Sequence, residues 1–341
     1  MPAESRKSDE CPHCGKSLKI INSDSFPDLS IIIPIFCEEE ILPELYSRLN
    51  MVMEKLKVSY EIIFVDDGSN DNSFKILKEF RARDEGVKII KFSRNFGHHI
   101  AITAGLDRCR GKAVILMDGD LQDPPEGIPA LYQKFQEGYD VVSIIPKTRK
   151  DPLLKKFFSG LFRSVFKKLT RIDLSLESGI YRILSRRVVD NIKTCREKSR
   201  FIIALIRWSG FPQAAISLDR DSRYAGKAKY NFFKSLELAL DAITSFSYLP
   251  LRLSIYFGFC VAILSFLFGL FIFVKKIFFG MPVSGYASII FSLFFFGGVQ
   301  LLILGVIGEY LGRTYHETLN RPLYIVEETL GIPLDENNVM P

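Results

Sequence analysis

What this chain lacks narrows it first. It has no Gly-x-Gly-x-x-Gly fingerprint and no Walker loop, so neither a dinucleotide fold nor a P-loop is expected. Cysteine is scarce: 6 in 341 residues, far apart except for one Cys-x-x-Cys. That spacing excludes a disulfide framework and fits reduced thiols facing the cytosol. A strong charge of one sign is also missing. The net charge of +6 suits an anionic membrane or a phosphate-bearing substrate but is too small to imply nucleic acid. The first residues are polar and charged, which predicts no signal peptide. Hydrophobic residues, by contrast, are plentiful. There are 29 phenylalanines, and apolar content concentrates towards the C-terminus, so the length leaves room for more than one structural unit.

From residue 29 the chain alternates strand-like and helix-like stretches. Strands are predicted at 29–35, 61–65, 87–92, 113–117 and 141–145, and helices at roughly 39–57, 72–83, 98–109 and 126–137. Nearly continuous apolar strands alternating with helices imply an α/β fold with a mostly parallel sheet covered on both faces. Ligands of such sheets bind outside the carboxyl ends of the strands. Three of those ends carry suggestive residues: 34–40, Asp66-Asp67-Gly68-Ser69 and 118–122. The fourth strand runs into Asp118-Gly119-Asp120-Leu121-Gln122. In extended backbone the two carboxylates share a side, and Gly119 permits close approach. Two carboxylates and an amide oxygen suit a hard divalent cation, Mg²⁺ or Mn²⁺, that keeps positions open for phosphate oxygens. The plainer alternative is an acidic turn that ends a strand. A calcium loop is excluded, because its sixth position is Asp123 rather than Gly and its twelfth is Pro129 rather than Glu.

Residues 1–27 read as an extension. Cys11-Pro12-His13-Cys14-Gly15 looks like half of a zinc ribbon. Two of the four ligands that a structural Zn²⁺ needs are lacking, so zinc at Cys11 and Cys14 competes with a metal-free tail. The stretch 153–169 places Leu154, Phe157, Phe158, Leu161, Val165 and Leu169 against Lys155, Lys156, Arg163, Lys167 and Lys168. That pattern predicts a basic amphipathic helix in a membrane interface, the alternative being a surface helix packed on the domain. A second, more acidic candidate occupies 231–250. Residues 253–274 and 286–308 are uncharged and exceed the about 20 residues needed to span a bilayer. Their short connection predicts a transmembrane hairpin over 251–310, with a cytosolic tail at 311–341. Arg313 and Arg321 favour that side, Lys275 and Lys276 oppose it, and the folded N-terminal domain without an export signal breaks the tie.

Taken in order, Pro34-Ile35-Phe36-Cys37-Glu38-Glu39, Val65-Asp66-Asp67-Gly68-Ser69, Ser93-Arg94-Asn95-Phe96-Gly97 and the segment 118–126 resemble the family-two inverting glycosyltransferases of GT-A fold. With Gly308-Glu309-Tyr310-Leu311-Gly312-Arg313 and Arg321-Pro322-Leu323-Tyr324, they resemble its polyprenyl-phosphate branch, including undecaprenyl-phosphate glucosyltransferase and dolichol-phosphate mannose synthase. The resemblance implies a GT-A domain over 28–230 at the cytosolic face of the cell (inner) membrane, in a multi-pass protein. It implies a UDP-sugar donor, a polyprenyl phosphate acceptor and a homotetramer. Pro34 belongs to the first of these motifs. Glu38 and Asp66 match positions that hold ribose and base, and Asp67 and Arg94 match neighbours of that pocket. Asp118, Asp120 and Gln122 match the metal and diphosphate site. Arg182, Arg200, Arg223 and Lys229 match basic positions that meet the acceptor phosphate, which suits guanidinium forks.

The chain departs from the pattern in three places. Cys37 replaces an Asn, Ala228 replaces a Ser in the motif with Gly226, Lys229 and Tyr230, and Ile180 replaces an acidic residue before Tyr181-Arg182. The tail points to UDP-glucose and undecaprenyl phosphate; GDP-mannose is the alternative donor. A processive polysaccharide synthase is disfavoured, because Arg207-Trp208 is preceded by Ala204 where such enzymes carry Gln. A membrane scaffold with a dead transferase domain is disfavoured by intact Asp118, Asp120 and Gln122.

Overall fold

The first predicted strand forms as β1, Leu29–Ile35, and all of its residues are buried. A strand buried on both faces belongs inside a sheet that helices cover from both sides. The computed structural model describes residues 26–146, 179–218, 249–279 and 285–332. β1 pairs in parallel with β2, Tyr60–Asp66, on one side and with β4, Ala113–Leu116, on the other. β3, Val87–Phe92, joins β2 in parallel. Beyond β4 stands β6, Arg182–Ser185, antiparallel both to β4 and to β5, Val141–Pro146; β7, Gln213–Leu218, is parallel to β5. β8, Val326–Leu330, lies antiparallel to β3. The eight-stranded order is β7-β5-β6-β4-β1-β2-β3-β8, a mixed sheet with a parallel centre.

Side chains alternate between two apolar layers, as the period of two requires. Ile31, Ile33, Ile35 and Phe64 face α1 (Leu42–Leu56), α2 (Ser73–Arg83) and α4 (Ile128–Phe135). Ile32, Ile63, Val65 and Leu116 face α3 (His98–Arg108), α5 (Arg186–Thr194) and α6 (Ile202–Trp208). α1 buries Leu42, Leu45, Leu49, Val52 and Met53, the stripe of a helix lying on a sheet. The amino ends of the strands are closed by a polar plug. Buried Glu61 there accepts bonds from the Ser30 hydroxyl, the Lys88 ammonium and the Arg110 N–H.

Three strands escape the apolar-run criterion. β6 reads RILS, β7 alternates as QAAISL, and β8 reads VEETL. Among the described residues β7 and β8 are the edge strands of the sheet, and neither carries a continuous apolar run. β8 falls in the stretch expected to be a tail. It is fastened by Ser93 N–H to Ile325 O (3.1 Å), by Tyr324 stacked on Phe92 (5.1 Å) and by the Tyr324 hydroxyl on Asp107 (2.8 Å).

α7, Leu249–Phe279, and α8, Tyr286–Thr318, contain 31 and 33 residues. At 1.5 Å per residue they extend about 46 and 50 Å, beyond the about 30 Å of bilayer hydrocarbon. By length and composition, Leu251–Lys275 and Ser292–Thr318 could each cross a membrane. Their apolar side chains, such as Phe266, Phe268, Phe294 and Leu301, are exposed rather than packed into a core. Cys11 and Cys14, the amphipathic stretch 153–169 and nearly all of 231–250 lie outside the described residues.

Candidate active site

The chain winds from β1 to β2 and β3, then returns across β1 to form β4. The reversal opens a crevice at the carboxyl ends of β1 and β4, where open α/β sheets take their ligands. Asp66 ends β2, and Asp118 and Asp120 follow β4 at this end of the sheet.

Asp66 ends β2 opposite Ile35 and is fully buried. One oxygen accepts the Ser69 N–H at 2.9 Å. The other, Oδ2, is buried with no hydrogen-bond partner among the described residues. Burial holds this carboxyl above the ordinary Asp value of 3.8. Asp67 has a different role. Its N–H donates to Ile35 O at 2.8 Å, and its carboxylate accepts the N–H groups of Phe96 (2.7 Å) and Gly97 (2.9 Å). It braces the loop 93–97 against β2, and burial raises its pKa in spite of those bonds. Between the two loops a Cβ on Gly68, at φ +72°, would lie 2.5 Å from Arg94 C, so only glycine fits. Arg94 is exposed, its guanidinium 4.1 Å from the Phe96 ring centre.

Pro34 is buried in β1 opposite Val65, a framework position with its ring inside the sheet. Beyond it, Cys37 adopts φ +56°, a conformation Asn tolerates better than most residues. Its N–H donates to Ser69 Oγ at 3.0 Å, and its Sγ lies 3.1 Å from Asn70 Oδ1. The Glu38 N–H donates to Ser73 Oγ at 2.9 Å. These bonds stitch the loop after β1 to the loop after β2.

After β4 the chain turns tightly. Leu121, buried in the core at φ +58°, anchors the turn, and Asp120 Oδ1 accepts the Gln122 N–H at 3.1 Å. The Tyr181 hydroxyl donates to Pro124 O at 3.0 Å. Asp118 Oδ1 lies 3.3 Å from His98 Nε2. Among the described residues no three His, Cys, Asp or Glu side chains form a ready metal cluster. The donor set fits a hard divalent cation nonetheless. Asp118, Asp120 and Gln122 offer oxygen ligands on one loop, and such ions accept few protein ligands when phosphate completes their shell.

Arg182 is fully buried in β6, opposite Leu116 of β4. Its Nε donates to Ile180 O (3.2 Å) and its Nη2 to Gly179 O (2.7 Å). Arg200 is buried as well. It donates to the carbonyls of Cys195 and Ile192, while its Nε has no hydrogen-bond partner among the described residues. Burial lowers its basicity. Arg223 and Lys229 lie outside the described residues.

Two residues of this region were not foreseen, His98 and His99 at the start of α3. The His99 ring stands edge-on to Phe201 at 5.4 Å. Burial, with His98, Arg182 and Arg200 nearby, pushes its pKa down to about 3, so it is neutral. Asp67 and Asp120 pull the pKa of His98 upwards, but burial outweighs them and leaves it below 6.5. Two of only 4 histidines standing side by side after a strand end were the available signal.

Comparison with known proteins gives the class. Residues 30–193 match the family described as glycosyl transferase family 2. An uncharacterized glycosyltransferase of Bacillus subtilis (strain 168) is 44% identical over 89% of this chain and 94% of its own length. An SfII prophage-derived bactoprenol glucosyl transferase of Shigella flexneri is 40% identical over 88% of this chain and 98% of its own. A solved glucosyl-3-phosphoglycerate synthase from Mycobacterium tuberculosis, in complex with Mn²⁺, uridine diphosphate and phosphoglyceric acid, aligns with TM-score 0.45 and 16% identity, over 64% of this chain and 76% of that one. The chain belongs to glycosyl transferase family 2. It is a glycosyltransferase with a mixed sheet of parallel centre and two apolar C-terminal helices.

Proposed function

We propose that the protein transfers glucose from UDP-glucose to undecaprenyl phosphate at the cytosolic face of the cell membrane, with inversion at the anomeric carbon. The observation that carries the donor half is Asp66, whose buried oxygen has no hydrogen-bond partner among the described residues and which ends β2 opposite the last residue of β1. A buried acceptor lacking its bond costs about 1–3 kcal/mol, and the N–H of a uracil ring is a fitting donor. Glu38 takes the ribose. The acceptor half rests on likeness to bactoprenol glucosyl transferases over most of both chains. It rests also on two helices long enough to anchor the enzyme where its lipid lies. The two apolar helices support a multi-pass protein, and analogy with the polyprenyl-phosphate branch supports a homotetramer.

Asp118, Asp120 and Gln122 would hold Mg²⁺ or Mn²⁺, which when bound offsets the charge of the departing diphosphate. The remaining work falls to the chain itself. A phosphate monoester has a second pKa of about 6, so at neutral pH the acceptor brings a nucleophilic oxyanion and needs no base from the enzyme. Arg200, Arg223 and Lys229 align that oxygen with the anomeric carbon. Arg182, bonded to the carbonyls of Gly179 and Ile180 before β6, adds positive field to the acceptor side. The phosphate–C1 bond forms as the C1–diphosphate bond breaks, and its electrons leave on the diphosphate.

The test uses the purified full chain with labelled UDP-glucose or GDP-mannose and undecaprenyl phosphate, followed by lipid extraction. Label enters the lipid fraction from UDP-glucose only, and chelation abolishes it. Asp120→Asn retains shape but loses a charged ligand, with an expected loss of about 10²–10³ in rate. Full activity of Asp120→Asn in chelator would refute the metal assignment.

A further inference from the structure

The uncharged run 286–308 stops before the helix does, and α8 continues through Glu309 to Thr318. At 1.5 Å per residue those last turns project about 15 Å past the run. They are docked on the segment 195–200, which joins α5 to α6. The Lys198 N–H donates to Glu317 Oε1 at 2.7 Å, and the Lys198 ammonium donates to the Arg321 carbonyl just beyond the helix. Arg313, which donates to Glu309 at 2.9 Å, also reaches Ser199 Oγ at 3.3 Å. Asp107, near the end of α3, accepts bonds from Arg196 (2.9 Å) and from the Tyr324 hydroxyl (2.8 Å). The segment is thus gripped by α8 and by α3. Its last residue is buried Arg200, which donates back to the carbonyls of Cys195 and Ile192. Guanidinium and segment therefore move as one unit.

We propose that the cytosolic end of α8 supports the acceptor arm: Glu317, through the Lys198 N–H, is a positioning residue that fixes the segment 195–200 and so presents Arg200 to the phosphate of the lipid acceptor. The inference rests on the assignment of Arg200 to the acceptor phosphate made above. A lipid phosphate cannot approach a cation from any direction, because its tail confines it to the depth of the headgroups. The cation that meets it must be held at a matching depth, and a helix that spans the bilayer has its depth set by the hydrocarbon. A carboxylate that accepts a backbone N–H forms a charge-assisted bond, shorter and stronger than a neutral one, which suits a joint between the span and the segment. None of these bonds involves Asp66, Asp118 or Asp120, so loosening the joint should leave the nucleotide side in place.

Titration calorimetry of the full-length detergent-solubilised protein with undecaprenyl phosphate, and separately with UDP, tests this without turnover. Glu317→Ala is expected to weaken undecaprenyl phosphate binding about 3- to 10-fold, with UDP binding and melting temperature nearly unchanged. Amide hydrogen exchange over 195–200 should quicken in the same variant. Glu317→Gln, which keeps an acceptor oxygen at the same reach, should recover most of the loss. In an Arg200→Lys background Glu317→Ala should cost little further, since residues that act through one another are non-additive. Wild-type affinity for undecaprenyl phosphate in Glu317→Ala would overturn the inference. So would equal weakening of UDP binding, unchanged exchange over 195–200, or losses that add fully in the double variant. If Arg200→Lys bound undecaprenyl phosphate as wild type does, the acceptor reading of Arg200 would fail and the inference with it. Weakened binding in Arg200→Lys beside normal binding in Glu317→Ala would sink the inference alone.

Discussion

Asp66→Asn separates what the buried carboxylate does for the ligand from what it does to the fold. In the protein Asp66 is fully buried, one oxygen takes the Ser69 N–H, and the other has no hydrogen-bond partner among the described residues. Asn can keep the Ser69 bond through its carbonyl oxygen, but it presents an NH₂ where Oδ2 stood. Towards a uracil N–H, an acceptor has become a donor. A hydrogen bond to a charged group is worth about 1.5–3 kcal/mol, which at 1.4 kcal/mol per decade is about 10- to 150-fold in UDP affinity. Stability should move the other way. Burial raises the Asp66 pKa, so at neutral pH the folded state carries a charge it holds less well than the unfolded chain does. Removing that charge should raise the melting temperature, at roughly 2–4 °C per kcal/mol for a domain of this size. The pH dependence has a definite sign. With the folded pKa above the unfolded one, the native state takes up its proton first as pH falls. The wild type therefore gains stability on acidification from above the folded pKa towards the ordinary 3.8, and the Asn variant does not. The advantage of the variant should be greatest near neutrality and shrink towards pH 4. Calorimetric titration with UDP and thermal unfolding from pH 4 to about 8 measure both effects. Unchanged UDP affinity, or a variant less stable than wild type at pH 7, would refute the reasoning.

Four other outcomes are expected. Ile180 is almost fully buried beside Arg182, so Ile180→Asp should give no gain in turnover. Arg182→Ala should lose at least about tenfold in rate and also melt earlier, because the Gly179 and Ile180 carbonyls lose their donor; a large gain from Ile180→Asp would show that the site wants a carboxylate. Tyr324→Phe keeps the stack on Phe92 but loses the 2.8 Å bond to Asp107, for an expected loss of about 1 kcal/mol in denaturant unfolding, and no loss would make that bond dispensable. Arg223→Ala should raise the KM for lipid phosphate more than that for nucleotide sugar, and the opposite split in steady-state kinetics would move the residue to the other pocket.

The alternation of short apolar strands with helices was legible because central strands must be apolar on both faces, and β1 is buried along its whole length. The two apolar helices were legible for the same reason, since a long uncharged run has few other uses. The carboxylates at 66, 118 and 120 could be named because each follows an apolar run, where a chain leaves a strand. What the linear order could not give is the meeting of distant loops. Asp67 holds Gly97 across 30 residues, and only the folded loop brings His98 to 3.3 Å from Asp118. The edge strand β8 was invisible because VEETL pairs with β3 through its backbone, whose hydrogen bonds leave no mark in side-chain pattern. Arg182 was matched by its motif to a position that meets phosphate. That it is buried in β6 and bonded to carbonyls was not legible, because burial depends on which strands flank a residue, and that is fixed only when the sheet is assembled.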